Sequence, residues 1–176
     1  NLKDFTLRIH NEYKINSKHS LEFGGQLTKN EVDYNYSLND SITVIDQKDK
    51  GSLKTAYFQD KWSPTEKLNI VGGIRATHFD VTDELYYEPR LSVLYQVNNK
   101  IKLKGAWGKY YQFVNRIIRE DVTQGSRDFW LLANDENSPI SFSEHFILGA
   151  SYEVDDWLFD VEFFEKEMTG LTEFSL

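Results

Sequence analysis

The sequence predicts an all-β fold: an antiparallel up-and-down transmembrane β-barrel segment of about eight strands. Three observations point there. Apolar and polar residues alternate over stretches of about 10–12 residues, roughly twice the usual strand length in soluble proteins and right for a tilted membrane-crossing strand. Short and long connections alternate along the chain, as they do when tight turns gather at one rim of a barrel and longer loops at the other. Aromatic residues collect at strand ends, where an amphipathic ring can sit half wet at a membrane interface.

The strands follow in order. Lys3 to Lys14 sets Phe5, Leu7, Ile9 and Tyr13 against Arg8, His10 and Glu12. His19 to Lys29 sets Leu21, Phe23, Gly25 and Leu27 against Glu22, Gln26 and Thr28. Ser52 to Trp62 is ambiguous, because Ala56, Phe58 and Trp62 share a side with Lys54 and Asp60. Leu68 to Phe79 sets Leu68, Ile70, Gly72, Ile74 and Ala76 against Asn69, Gly73, Arg75 and Thr77. The stretch from Glu88 to Gln112 holds a hairpin: Leu91, Val93, Tyr95 and Val97, then Ile101, Leu103, Gly105 and Trp107, form its apolar side. Glu144 to Val154 sets Phe146, Leu148, Ala150 and Tyr152 against His145, Ser151 and Glu153. Trp157 to about Met168 sets Trp157, Phe159, Val161 and Phe163 against Asp160 and Glu162.

The short connections are Ile15 to Lys18, Ser63 to Lys67, Asn98 to Lys100 and Asp155-Asp156. The long ones are Asn30 to Gly51, Asp80 to Tyr87 and Phe113 to Ser143. Tyr13, Trp62, Tyr95, Tyr152 and Trp157 fall near the short turns, and Phe79, Tyr86, Tyr87, Tyr110 and Tyr111 near the long loops. Aromatics are common in strands for packing reasons alone, and the loop asymmetry favours two belts. The polar face then lines the lumen, with Arg75, Arg90, Lys102 and Lys104 pointing inward beside Arg8, Glu22, Asp160 and Glu162. Both charge signs are present, so this wall can pair with itself or with a polar plug. Short turns on the periplasmic side place both ends of the sequence at the outer rim, which predicts a piece of a larger barrel rather than a closed eight-stranded one.

Composition agrees and excludes several classes. The chain of 176 residues carries a net charge of -8, which argues against a general nucleic-acid binder. It has no Cys, ruling out disulfides and zinc-thiolate sites. A mean hydropathy of -0.55 and the lack of long apolar runs exclude membrane helices but not membrane strands. The N-terminal stretch lacks the pattern of a secretion signal.

Several segments resemble the barrel of TonB-dependent outer-membrane receptors. In "AYFQDKWSPTEKLNIVGGIRATHFD" (Ala56 to Asp80), Tyr57-x-x-Asp60-x-Trp62 precedes a short turn and Leu68-x-Ile70-x-x-Gly73-x-Arg75 follows it. "EPRLSVLYQVNNKIKLKGAWGKYYQ" resembles the next hairpin, with Pro89-Arg90-x-Ser92 at its start and Gly108 to Gln112 at its end. "EHFILGASYEVDDWLFDVEFFEKEMTGLTEF" resembles a later one, with Glu144 and Gly149 before an aromatic strand that closes on Thr169-Gly170-Leu171. The likeness runs from Ser52 to Phe174, and in style it is similar to receptors of the Bacteroidetes. It implies a bacterial outer-membrane protein whose barrel, of 22 strands in that family, is filled by a plug domain. This chain, residues 1–176, would be a single barrel segment without the plug. The resemblance further implies contact with outer-membrane lipid and with the plug, and through the plug with the TonB complex. It implies active import of a ferric siderophore, haem, cobalamin or oligosaccharide, and no cofactor or enzymatic activity. A passive porin or small structural barrel, and a soluble β-rich binding module, are the alternatives.

The residues themselves mark no catalytic or metal centre. His10, His19, His78 and His145 are dispersed, without metal-ligand spacing. Ser143 and His145 share a strand face, the one spacing compatible with a nucleophile and base. Asp46, Asp49, Asp80, Asp83 and Glu84 are loop acids without the spacing of a calcium loop. Gly24-Gly25 and Gly72-Gly73 lie inside strands, where glycine marks a bend or a close approach. Ligand contact is best assigned to the longest loop, with Arg116, Arg119 and Arg127 for anionic groups and Phe129 and Trp130 for flat ones, beside Tyr110 and Tyr111. The competing reading is a folded lid in which Phe129, Trp130, Leu131 and Leu132 pack together.

Overall fold

A computed structural model describes residues 1–38, 42–121, 125–134 and 138–171. Ten strands follow one another: β1 (Leu2–Lys14), β2 (His19–Leu38), β3 (Ile42–Thr65), β4 (Leu68–Phe79), β5 (Glu84–Gln96), β6 (Ile101–Gln112), β7 (Val114–Asp121), β8 (Gly125–Leu132), β9 (Ser141–Val154) and β10 (Trp157–Thr169). Eight of them form one antiparallel sheet in the order β1-β2-β3-β4-β5-β6-β9-β10, and β7 and β8 form a separate hairpin. Sequential neighbours pair throughout the large sheet except where β7–β8 is inserted. Its edges, β1 and β10, remain open, so this is an up-and-down sheet and not a closed eight-stranded barrel. No helix among the described residues is long and apolar enough to cross a membrane, which says nothing of strands.

Residues paired across strands share a face. The register therefore decides the facing of every strand at once. One apolar row runs Phe23, Phe58, Ile74, Pro89 across β2 to β5, and another runs Leu103, Ala150, Val161 across β6, β9 and β10. The ambiguity of β3 disappears: Ala56 and Phe58 lie in the apolar rows, and Lys54 and Asp60 sit on the same face at either end of them. Asp60 is tolerated because His19 Nδ1 lies 2.7 Å from its Oδ2 and the His19 ring stacks on Trp62. The apolar face is open: Ile9 is 64% exposed and Val161 73%. The total accessible surface is 12398 Å², against about 8,900 Å² for a compact soluble protein of this mass. A sheet with so much uncovered apolar area is not a self-contained soluble module.

The short turns are set by side chains. Asn16 Oδ1 accepts from the backbone N–H of Lys18 and His19, and Asn98 Oδ1 accepts in the same way from Lys100 and Ile101. This is the local hydrogen bonding that makes Asn a turn residue. Asp155 takes a positive φ of 51° in the last short turn.

The other rim differs from expectation in three respects. Asn30 to Gly51 is not a loop: β2 and β3 stay paired from Asn30↔Gly51 out to Leu38↔Ile42. Alternation lapses there because the continuing strands have no apolar layer on one side to impose it, while backbone pairing needs no such pattern. Asp80 to Tyr87 is not a long connection either, since β5 begins at Glu84 and Asp83 turns the chain at a φ of 55°. Phe113 to Ser143 contains the β7–β8 hairpin, in register from Val114↔Leu132 to Asp121↔Gly125.

The outer aromatic belt is also corrected. Thr55, Thr77 and Tyr86 share the polar face, as do Leu53 and Phe79. Tyr110 joins that face through its pairing with Ser143, one step from Gly108↔His145. Phe79, Tyr86 and Tyr110 thus point away from the apolar side. Phe79 is fully buried in a cluster of buried apolar residues with Val32, Phe113, Leu132 and Ala133. The five aromatics at the short-turn end all lie on the apolar face as expected.

Candidate functional site

The polar face carries a network built strand by strand. Arg8 on β1 donates through Nε and Nη2 to Gln26 Oε1 on β2, at 2.9 and 2.7 Å. His10 Nδ1 lies 2.6 Å from the Tyr57 hydroxyl two strands away. That reach crosses Gly24, where a Cβ would run into Ile9 O and the Tyr57 hydroxyl. Lys61 pairs with Glu22, and Gln59 Nε2 donates to the same carboxylate. On β6, Lys104 reaches over Gly149 to Asp160 and Glu162 of β10, at 3.0 and 2.8 Å. A glycine between two long polar side chains in one cross-strand row recurs here, and it is the close approach that mid-strand glycines signal.

Glu88 is the centre of the network. It is 5% exposed and lies between Arg75 Nε at 3.7 Å and Arg90 Nη2 at 3.4 Å. It also accepts the backbone N–H of Tyr111 at 3.3 Å. The Arg90 guanidinium lies over the Tyr110 ring, 4.7 Å from its centroid, and Tyr110 meets the His145 ring at 4.8 Å. Below this, a cleft of about 230 Å³ is lined by Arg8, Gln26, Tyr57, Gln59, Arg75 and Arg90. Its chemistry is that of a wet, mixed-charge wall with guanidinium groups prominent, suited to carboxylate, phosphate or catecholate oxygens.

Nearer the rim, β7–β8 folds over the polar face. Leu132 and Phe113 pack on Phe79, Val32 and Leu53, and Phe113 meets the rings of Phe79 and Tyr86 at 5.0 and 5.2 Å. Gly51 leaves the space that Leu132 occupies. Ala133 N–H donates to Phe113 O at 2.8 Å, closing the base of the hairpin. Ser141 Oγ, at the start of β9, donates to Gly170 O just past β10 at 2.9 Å.

The expected residues fall out as follows. Arg75, Arg90, Lys102 and Lys104 are all on the polar face. Arg116 is exposed on β7, and Trp130 is partly buried against the rim cluster. Tyr111 is drawn into contact with Tyr86 and Phe142, both at 5.1 Å, instead of standing in a free belt. The side chains of Arg119, Arg127 and Phe129 lie outside the described residues, as does that of Asp46. Of the lid residues, Leu132 and Trp130 meet in one cluster that also takes in Val32 and Phe79 of the large sheet. Ser143 and His145 share the polar face, but no hydrogen bond joins them among the described residues. No metal-binding group of acids and histidines occurs among those residues. Sequence reading passed over Glu88, whose only signal was its place before Pro89-Arg90.

Comparison with known proteins agrees with this architecture. The family of TonB-dependent receptor-like β-barrels matches residues 1–170. Among solved structures, the ferric enterobactin receptor PfeA of Pseudomonas aeruginosa, as its G324V mutant, superposes with a TM-score of 0.70 at 15% identity, over 95% of this chain and 27% of the receptor. The siderophore receptor PirA of the same species gives 0.69 at 16% identity, over 95% and 32%. PirA of Acinetobacter baumannii gives 0.67 at 16%, over 95% and 27%. At these identities the likeness is one of fold, and the chain spans about a third or less of each receptor. No curated protein matches in sequence. A family match over nearly the whole length, on an open sheet with one apolar and one charged face, means that the chain belongs to the TonB-dependent receptor-like β-barrel family and is a protein of the bacterial outer membrane.

Proposed function

We propose that this chain forms part of the barrel wall of an outer-membrane receptor that binds a ligand from outside and imports it actively, with the apolar face toward lipid and the polar face toward the lumen. The protein is a transporter and not an enzyme. A ferric siderophore is the first ligand class, with haem, cobalamin and oligosaccharide behind it. The observation that carries the reading is the arrangement of the polar face: an arginine-rich cleft beside a hairpin that folds over it at the rim. Guanidinium groups grip the oxygens of an anionic chelate by paired donors, and the half-buried rings of Tyr110 and Trp130 suit flat ligands. A plug domain fills the lumen against the charged wall, and the TonB complex acts through that plug.

Uptake of radiolabelled ferric siderophore by cells making the full receptor tests this. Arg8→Gln and Arg90→Gln together should reduce uptake several-fold, and collapse of the proton gradient should abolish it. Unchanged uptake in the double variant would sink the assignment of the ligand site. Uptake that survives loss of the gradient would point to a passive pore instead.

A further inference from the structure

We infer that the outer surface of β1–β3 near the long-hairpin rim is a docking site for the phosphate groups of a membrane lipid. Lys3, Lys29 and Lys54 lie on the apolar face and not on the polar one. The register shows this directly: Phe5 pairs with Lys29, and Leu7 pairs with Leu27, which pairs in turn with Lys54. Each lysine therefore stands one strand over and one row down from the one before. Strands are about 4.8 Å apart and rows about 6.8 Å, so neighbouring Cα atoms of the stripe are about 8 Å apart, within reach of one headgroup.

The direction of the stripe matters. The row of Tyr13 passes through Leu21, Asp60, Gly72, Leu91, Trp107 and Phe146. The first short turn closes beside that row, whereas the Asp155-Asp156 turn closes beyond Val154↔Trp157, well further along β9. The short-turn rim thus descends from β1 to β10 in the sense in which the lysine stripe descends from β1 to β3. Strands in a membrane barrel are tilted, and this stagger is the tilt. The stripe thus runs in the sense of the tilt, so Lys3, Lys29 and Lys54 differ less in depth than in row, and Lys54 shares the row of Leu7 and Leu27, next to the row that holds Ile9.

These three make no ion pair among the described residues. Lys48 and Lys50 lie beside them and share Glu31, at 3.6 and 3.8 Å. The acidic neighbours are Asp4, Glu31, Asp33 and Asp80, the last of which accepts the Ser52 N–H at 2.7 Å. Lysines still exceed carboxylates on this patch, although the chain as a whole is acidic at -8. A hollow of about 580 Å³ opens beside Lys3 and Lys29, lined also by Asp4, Phe5, Glu31, Lys50 and Asp80. Phe5 is 63% exposed in its floor. A ring to meet the first carbons of an acyl chain, with ammonium groups above it, is the complement of a phosphorylated lipid. Long lysine stems lie along apolar surface while their charges reach the headgroup layer.

The inference rests on the apolar face meeting lipid, which heat-modifiable migration of the inserted protein checks independently. The full-length protein is folded into phosphatidylcholine vesicles with or without diphosphoryl lipid A, extracted into mild detergent, and assayed for retained lipid A by native mass spectrometry. The wild type should retain it, and K3Q/K29Q/K54Q should retain several-fold less, with the difference shrinking at high salt. Lys29→Gln alone should fall between the two, which serves if the triple variant folds poorly. Equal retention by wild type and variants would overturn the site. So would an equal loss in K14Q/K18Q/K100Q, whose lysines sit at the short turns, or full displacement of the lipid by millimolar inorganic phosphate.

Discussion

At the scale of single residues, the polar face is organised by what stands next to glycine and by one buried carboxylate. Gly24 and Gly149 each leave room for a long side chain to cross a strand and find a partner, His10 to Tyr57 and Lys104 to Asp160 and Glu162. Glu88 holds Arg75 and Arg90 in place from a nearly dry position. Glu88→Gln keeps the shape but removes the charge, leaving the two guanidinium groups to repel. The expected loss is about 1.5–3 kcal/mol, the range for hydrogen bonds to charged groups, read as a lower urea midpoint of the protein folded in lipid vesicles. An unchanged midpoint would show that the arginines are held by other contacts. The alternation that put Arg75 and Arg90 on the polar side was plain in the sequence. Glu88 as their shared partner was not, because it depends on β4, β5 and β6 lying side by side.

At the scale of elements, eight strands were legible and two were not. The eight carry alternation because one of their faces is apolar and the other polar, so their period of two is written locally. The β7–β8 hairpin has no such face, and what fixes it is Leu132 and Phe113 seated on Phe79 and Val32. Phe79→Ala removes the largest buried ring of that cluster. A fully buried Phe→Ala change costs about 3–5 kcal/mol, and here the loss is local, since the backbone pairing of the large sheet does not depend on the ring. Limited proteolysis should cut between residues 114 and 132 faster in the variant while heat-modifiable migration stays intact. A cleavage rate equal to wild type would mean that the hairpin is held elsewhere.

At the scale of the whole molecule, the proposed function sets the two faces in different solvents, lipid and water. Leu148 is 50% exposed on the apolar face, in the middle of its strand, and Ser151 belongs to the polar face of the same strand through Lys102. Leu148→Arg should reduce folding into lipid vesicles by about 2–4 kcal/mol, the cost of a charge near the bilayer midplane. Ser151→Arg should fold nearly as well as wild type, because the added charge meets water and Asp160. Equal penalties at the two sites would refute the two-solvent arrangement.

The sequence by itself determined the all-β class, the strand directions, the short turns and the facing of seven of the eight long strands. Each of these follows from side chains a few positions apart, read against a period of two. Only the tertiary structure decided the facing of β3, the continuation of β2 and β3 beyond the apolar layer, the burial of Phe79 and the diagonal on which Lys3, Lys29 and Lys54 line up. These depend on register between strands distant in sequence. Register is set by backbone pairing and cross-strand contacts, so no pattern within a single strand records it.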